Sequence, residues 1–345
     1  MSGTQDANAA AQIRFPLSRE HISGFASRSA VLGQVLGAGE VTRVLASYQR
    51  EDVRSGEAQR RFARVASQLN CAVLATAMLG AAILALGILQ PNLGQGATSW
   101  PARLVPDALF ALGLFGLIAG GYATARLYQL NSGDLAGDWM RTRARAEKYR
   151  SEYFERLVAR VPPADSSALL AALELVHQHL LEDQIDYFGR RGKRHETSAV
   201  RWLGLAAFAT GAASVGVAAG GMAGTAGQQW ILAIAALGGI GGALASFAAA
   251  QESIGQERER AQRFRNNVDA LELVARQIDG VREAVAAGSK DALVTFTAAI
   301  NQQLALELGQ FLEGGDSIRA ALTKLGQQIE DSRKRQDVAD PGQHV

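Results

Sequence analysis

The chain has 345 residues, 48% of them hydrophobic, and 35 Lys and Arg stand against 33 Asp and Glu for a formal net charge of +2. So balanced a total gives no electrostatic ground for nucleic-acid binding, and the single cysteine, Cys71, excludes an intrachain disulfide or a cysteine metal cluster. The charges are nevertheless unevenly placed: residues 65–102, 108–125 and 202–251 carry none, and charge-free windows of this length point to hydrocarbon as their solvent.

The first 20 residues are polar and Ala-rich. They have no basic region ahead of an apolar core and are not read as a secretory signal. Neither end carries a lipidation motif. Residues 40–64 are predicted to form one helix leading to a first span at about 66–89. A second span is expected at about 108–130, a third at about 199–221 and a fourth at about 229–250. Each approaches or exceeds the roughly 20 helical residues that cross a ~30 Å hydrocarbon core. Helix is required because lipid offers backbone groups no partners.

After the second span the helix is expected to continue as a stiff stalk to about residue 160 and to stop near Pro162-Pro163. Asp165 or Ser166 can cap the next helix, which runs through residues 168–191. Beyond the fourth span, Val268, Leu271, Ala275, Ile278 and Val285 form one apolar stripe at helical spacing. Leu293, Phe296, Ile300, Leu304, Leu308 and Phe311 form another, with Ser289 as a cap between them. Gly314-Gly315 is expected to end that helix, and Ile318, Leu322, Leu325 and Ile329 stripe a last short one. No stretch has a convincing strand pattern.

Basic residues near span ends set orientation, because they are retained in the cytoplasm. Arg60, Arg61 and Arg64 precede the first span, and Arg126, Arg141, Arg143, Arg145, Lys148 and Arg150 follow the second. Arg190, Arg191, Lys193, Arg194 and Arg201 precede the third, and Arg258, Arg260, Arg263 and Arg265 follow the fourth. Between the paired spans, residues 90–107 hold only Arg103, and residues 221–228 hold no charge. Both termini and the middle segment are therefore expected in the cytoplasm. Tyr128, Trp139, Trp202 and Trp230 suit interfacial positions; for Trp139, further from a span, packing is the alternative.

Two stretches repeat. RAEKYR at 145–150 and RAQRFR at 260–265 lie about 115 residues apart, each just past an even-numbered span. The pattern reads as a parallel duplication of a membrane hairpin, unlike the inverted repeats of many transporters.

Chemical motifs are sparse. His177 and His179 would point about 200° apart on a helix and cannot share an ion there, and Glu174 and Glu182 complete no ligand set. His21 and His195 are isolated. GAGE at 37–40 and GGIGG at 238–242 have the glycines of a phosphate loop without its lysine and strand. No serine, histidine and acid suggest hydrolysis. No ionisable residue stands at mid-depth in a span, which weighs against active transport. No catalytic, metal-binding or cofactor-binding residue is assigned, and neither an enzyme nor a cofactor is expected. Small residues do recur at packing intervals: Gly116 and Gly120, Gly216 and Gly220, then Gly238, Gly242 and Ser246. They serve packing within one chain or, alternatively, packing between chains around a pore lined by Thr210, Ser214 and Ser246.

The stretch from Trp139 through Arg143, Ala146, Glu147 and Arg150 resembles the motif that follows the membrane hairpin in the SLATT family (the SMODS- and SLOG-associating two-transmembrane effector domains). Gln184, Tyr187, Phe188, Arg191 and Arg194 resemble the segment before the second hairpin of its four-span relatives. The resemblance covers about residues 60–312. It implies a bacterial inner-membrane effector of conflict systems that perforates or depolarises the membrane when a partner detects infection, often through a nucleotide signal. Some relatives carry an N-terminal SLOG sensor domain; residues 1–64 stand in its place here. The second copy, RAQRFR, lacks the tryptophan and the Ala-Glu pair.

The expected fold is an all-α polytopic membrane protein, with four transmembrane helices in two parallel-repeated hairpins and a cytoplasmic helical bundle. The expected segments are 1–64, an N-terminal cytoplasmic helical part; 65–160, the first hairpin with its cytoplasmic helix; 161–198, a helical connector; 199–270, the second hairpin with its helix; 271–335, C-terminal helices; and 336–345, a disordered tail. The expected function is a non-enzymatic, homo-oligomeric pore former or membrane perturber in antiphage defence. Its expected partners are the lipid bilayer and a separate nucleotide-sensing or signalling protein, with no nucleic acid. A membrane scaffold recruiting a cytoplasmic partner is the alternative.

Overall fold

A computed structural model describes residues 24–93, 100–226, 238, 240–249, 252 and 256–339. Among these the chain is all-α, with no strand. The helices are α1 (Ala30–Gly37), α2 (Gly39–Leu93), α3 (Trp100–Ser132), α4 (Leu135–Arg160) and α5 (Ser166–Val176), followed by a π-helical turn at His177–Glu182. Then come α6 (Asp183–Ala226), α7 (Ile240–Ala249), α8 (Glu257–Ala275), α9 (Ile278–Ala286) and α10 (Lys290–Ala339). Residues 229–237 of the expected fourth span, Trp230, His21, residues 94–99 of the first connecting loop and residues 340–345 of the tail lie outside the described residues.

The chain divides into two compact units. The first, called the core unit below, comprises Met1–Arg60, Ala136–Glu196 and Arg258–Asp316. The second, the apolar unit, comprises Arg61–Leu135, Thr197–Glu257 and Ser317–Val345.

The core unit is organised by α5. Its start is fixed by Asp165, whose carboxylate accepts the backbone N–H of Ala168 at 2.9 Å and the Ser167 hydroxyl at 2.7 Å. These bonds, the hydroxyl's first, hold the Asp165 pKa below the ordinary carboxylate value. The segment SSALLAALELV is apolar nearly all round, so it must be enclosed, and Leu169, Leu173, Leu175 and Val176 are all buried. It packs on α1 and α9. The same core holds Val41, Val44 and Tyr48 of α2, Tyr153, Phe154 and Leu157 of α4, and Leu293, Phe296 and Ile300 of α10. Each such leucine or phenylalanine stabilises the fold by about 1.5–3 kcal/mol relative to exposure. Burial also pushes the phenols of Tyr48 and Tyr153 above the usual tyrosine range.

Three local expectations need correction. The helix after the second span is not one stalk, because α3 ends at Ser132 and α4 begins at Leu135. At the break Asp134 adopts φ 40°, and a Cβ on Gly133 would stand 2.6 Å from the Gln129 carbonyl oxygen, so the turn requires glycine there. The stripe from Val268 to Val285 is split between α8 and α9 at Arg276-Gln277. Gly314-Gly315 does not end its helix: α10 continues to Ala339, past the expected start of the tail. Each of those glycines costs about 1 kcal/mol relative to alanine, which the good helix formers that follow absorb. The 40–64 helix and the first span are one element, α2. The Ser289 cap is present, its Oγ accepting the Ala292 N–H at 3.3 Å.

The apolar unit handles its side chains differently. Phe110, Phe115, Leu117 and Ile118 of α3, and Phe208, Val215 and Val217 of α6, are exposed. Three described stretches, Gly39–Ile83, Pro106–Arg160 and Ser166–Ala218, are long and apolar enough to cross a membrane, and Ile240–Ala249 is a shorter apolar helix. Only 6% of the most apolar window of Pro106–Arg160 is buried. A window both apolar and uncovered by protein is what a lipid-facing helix presents. The three longer stretches thus have the length and composition of membrane-spanning helices.

Candidate ligand pocket in the core unit

Helical spacing builds a pocket from five helices. On α4, Trp139 and Arg143 are four residues apart; on α6, Tyr187, Arg191 and His195 recur at the same interval. Residues four apart share a helix face. Arg260, Arg263 and Phe264 of α8, Glu307 and Phe311 of α10, and Gln59 of α2 complete the lining. The cavity measures about 90 Å³, several times the roughly 10–15 Å³ that one water needs.

Its walls are fixed by ring contacts. Trp139 is buried and meets Phe311 edge to face, with centroids 5.2 Å apart; it packs within the core unit, the alternative to an interfacial position. Phe264 stacks on Phe188 at 5.6 Å and lies 5.4 Å from His195. The guanidinium groups of Arg143 and Arg191 sit 5.8 and 5.5 Å from the Tyr187 ring centroid, within cation–π range. Gly192 brings α6 and α8 together: a Cβ there would be 3.5 Å from the Cβ of Phe264.

Behind the pocket runs a buried ion network. Arg143 Nη2 pairs with Glu147 Oε1 at 2.6 Å, and Arg150, only 2% exposed, pairs with the other carboxylate oxygen of Glu147. Burial works most strongly against the Arg143 charge, but Glu147 together with Tyr187, Glu307 and Asp52 outweighs it, and the net pKa lies above the usual arginine value. Glu307 goes the other way. Burial raises its carboxyl pKa, and Arg143 offsets only part of the rise. Gln184, one turn before Tyr187, is fully buried, and neither of its amide atoms has a hydrogen-bond partner among the described residues.

Of the residues that resemble the family motif, Trp139, Arg143, Tyr187 and Arg191 line the pocket, Glu147 and Arg150 stand behind Arg143, and Gln184 is buried one turn away on α6. The two repeated stretches diverge here. Ala146 and Ala261 are both buried. Arg150 is enclosed with Glu147, whereas the Arg265 side chain is 54% exposed, 3.5 Å from Glu196. The second copy has Gln262 where the first has Glu147, so it lacks the carboxylate that holds a buried arginine, and Gln262 instead donates to Asn266.

Sequence reasoning missed Glu307, Phe311, His195, Arg260, Arg263 and Phe264 as site residues. A signal existed for Glu307, which interrupts an apolar stripe between Leu304 and Leu308. Of the histidines, His179 hydrogen-bonds Asp183 at 2.9 Å and meets the Phe25 ring edge to face, and His177 lies 3.6 Å from Glu182. Among the described residues no three His, Cys, Asp or Glu side chains are grouped to hold a metal.

The small residues lie in the apolar unit. A Cβ on Gly238 would meet Gly216 Cα at 2.9 Å, and one on Gly241 would meet Ala213 N at 2.6 Å. The close approach to α6 thus uses Gly238, just before α7, and Gly241 within it, not Gly242, where a Cβ would meet nothing within 4 Å among the described residues. Gly120 lies 4.0 Å from Thr76 by the same measure, and Gly116 has nothing within 4 Å among the described residues; the surroundings of Gly220 lie outside the described residues. Thr210, Ser214 and Ser246 are exposed. The Thr210 and Ser214 hydroxyls donate to carbonyls of their own helix at 2.8 and 2.9 Å, so neither requires a water acceptor. Compared with protein-family models, with curated proteins and with solved structures, the chain has no match.

Proposed function

We propose that this protein is a non-enzymatic effector of the bacterial inner membrane, acting in a conflict or antiphage system. In this reading it has four spans in two parallel hairpins with both termini cytoplasmic, assembles with copies of itself, and opens a pore or perturbs the bilayer. The trigger acts through the cytoplasmic helices and comes from a separate nucleotide-sensing or signalling protein. The observation that carries the reading is the uncovered apolar surface of α3 and α6, from Phe110 to Ile118 and from Val200 to Val217. Monomeric soluble proteins rarely expose contiguous apolar patches of this kind. Further support comes from the close glycine-mediated approach of α6 and α7, a geometry suited to helix association in lipid, and from the resemblance to SLATT proteins.

The test is expression of the full chain with membrane potential recorded, paired with dye release from liposomes holding the purified protein. A pore former or membrane perturber arrests growth, collapses the potential and releases dye. Sealed liposomes and an unchanged potential would instead favour the scaffold, which shares the same helices and needs only the core unit for recruitment.

A further inference from the structure

We propose that the pocket between α4, α6, α8 and α10 of the core unit is a binding site for a phosphate group, either free or at the end of a small phosphate ester. Four arginines, Arg143, Arg191, Arg260 and Arg263, line it together with one acidic side chain, Glu307. A cluster of like charges around a small cavity is unfavourable without a counter-charge. Arg143 has one in Glu147, and one Nη of Arg263 donates to the Gln310 carbonyl at 2.7 Å. The Nε–H groups of Arg191 and Arg263, however, are buried with no acceptor among the described residues. Buried donors are normally satisfied, and guanidinium forks match phosphate oxygens geometrically. The cavity has room for a tetrahedral oxyanion in place of several waters.

The aromatic walls hold these cations in place. Arg143 and Arg191 both lie over Tyr187, so their positions are set before a ligand arrives, and less entropy is lost on binding. Glu307 is the one acidic side chain in the lining and opposes an anion when ionised, so removing its charge favours binding. The site belongs to the core unit alone and does not rest on the membrane reading.

The experiment is titration calorimetry of the full chain in detergent with inorganic phosphate and with pyrophosphate. Saturable binding is expected. Arg191→Gln and Arg263→Gln should each weaken it about tenfold, the loss of a charge-assisted hydrogen bond. Glu307→Gln should strengthen it, a change of opposite sign that general damage to the fold would not produce. Arg282→Gln, at a residue that pairs with Asp279 and Glu174 and is not part of the pocket lining, should leave it unchanged. Two further arms separate the sources of phosphate. Preferential binding of glycerol 3-phosphate would indicate a soluble ester, and displacement of bound phosphate by nanodiscs carrying phosphatidic acid would indicate a headgroup. The proposal is overturned if the folded wild-type chain, its helicity checked by circular dichroism, binds neither phosphate nor pyrophosphate saturably, or if the two arginine substitutions leave binding unaltered.

Discussion

The core unit and the apolar unit treat the same kind of side chain in opposite ways. Leu169, Leu173 and Leu181 are 0–2% exposed in the first, whereas Phe110, Leu117 and Phe208 are 73–75% exposed in the second. The core unit has closed an apolar core around α5 and encloses the Arg143–Glu147–Arg150 ion network. The apolar unit leaves large hydrophobic groups such as Phe110, Phe115 and Phe208 uncovered and has long windows without charge. One unit is solved for water and the other for a medium that offers no hydrogen bonds.

Substitutions break or sharpen this contrast. The largest effect is expected from Glu147→Ala, which strips Arg143 and Arg150 of their shared carboxylate inside the core unit. Loss of one partner from a buried ion pair costs about 3–5 kcal/mol, read as a lower denaturation midpoint of the purified protein. Leucine truncation compares the units directly. Leu173→Ala should cost about 2–5 kcal/mol through the cavity it leaves, while Leu117→Ala, with no protein packed around it, should change stability by no more than about 0.5 kcal/mol. Equal losses at both positions would erase the distinction. Leu117→Arg then asks what the second unit faces. A charge at the centre of a lipid-embedded helix disfavours insertion by about 2.5–3.5 kcal/mol, seen as a reduced membrane-inserted fraction, whereas water would tolerate it. A smaller loss than at Glu147 or Leu173 belongs to the edge of the core unit, where Ser29 Oγ accepts the Leu32 N–H of α1 at 3.3 Å. Ser29→Ala should lower stability by about 1 kcal/mol and leave membrane insertion as it was.

Features governed by local chemistry were legible in the sequence. The charge-free windows locate the apolar helices, Asp165 caps α5, Ser289 caps α10, and the apolar stripe from Leu293 to Leu304 faces the core. The motif residues from Trp139 to Arg150 share one side of α4 because their spacing puts them there. What stayed hidden depends on neighbours distant in sequence. Gly238 and Gly242 form the obvious four-residue pair, but the crossing of α6 over α7 selects Gly238 and Gly241. Glu307 reads as a solvated break in an apolar stripe until α4 and α8 bring Arg143 and Arg263 beside it. Gly133-Asp134 shows the converse, since the apolar and basic text on either side runs on as helix and only the left-handed Asp134 reveals the break. Gly314-Gly315 looks like a stop signal, yet helix propensity on both sides overrides it.

The most direct measurement is flotation of cell lysate in a density gradient after alkaline carbonate extraction. If acyl chains solvate α3 and α6, the wild-type chain floats with the lipid and is released only by detergent. Recovery of folded protein in the soluble fraction, without detergent, would show that its exposed apolar helices are covered by something other than a bilayer.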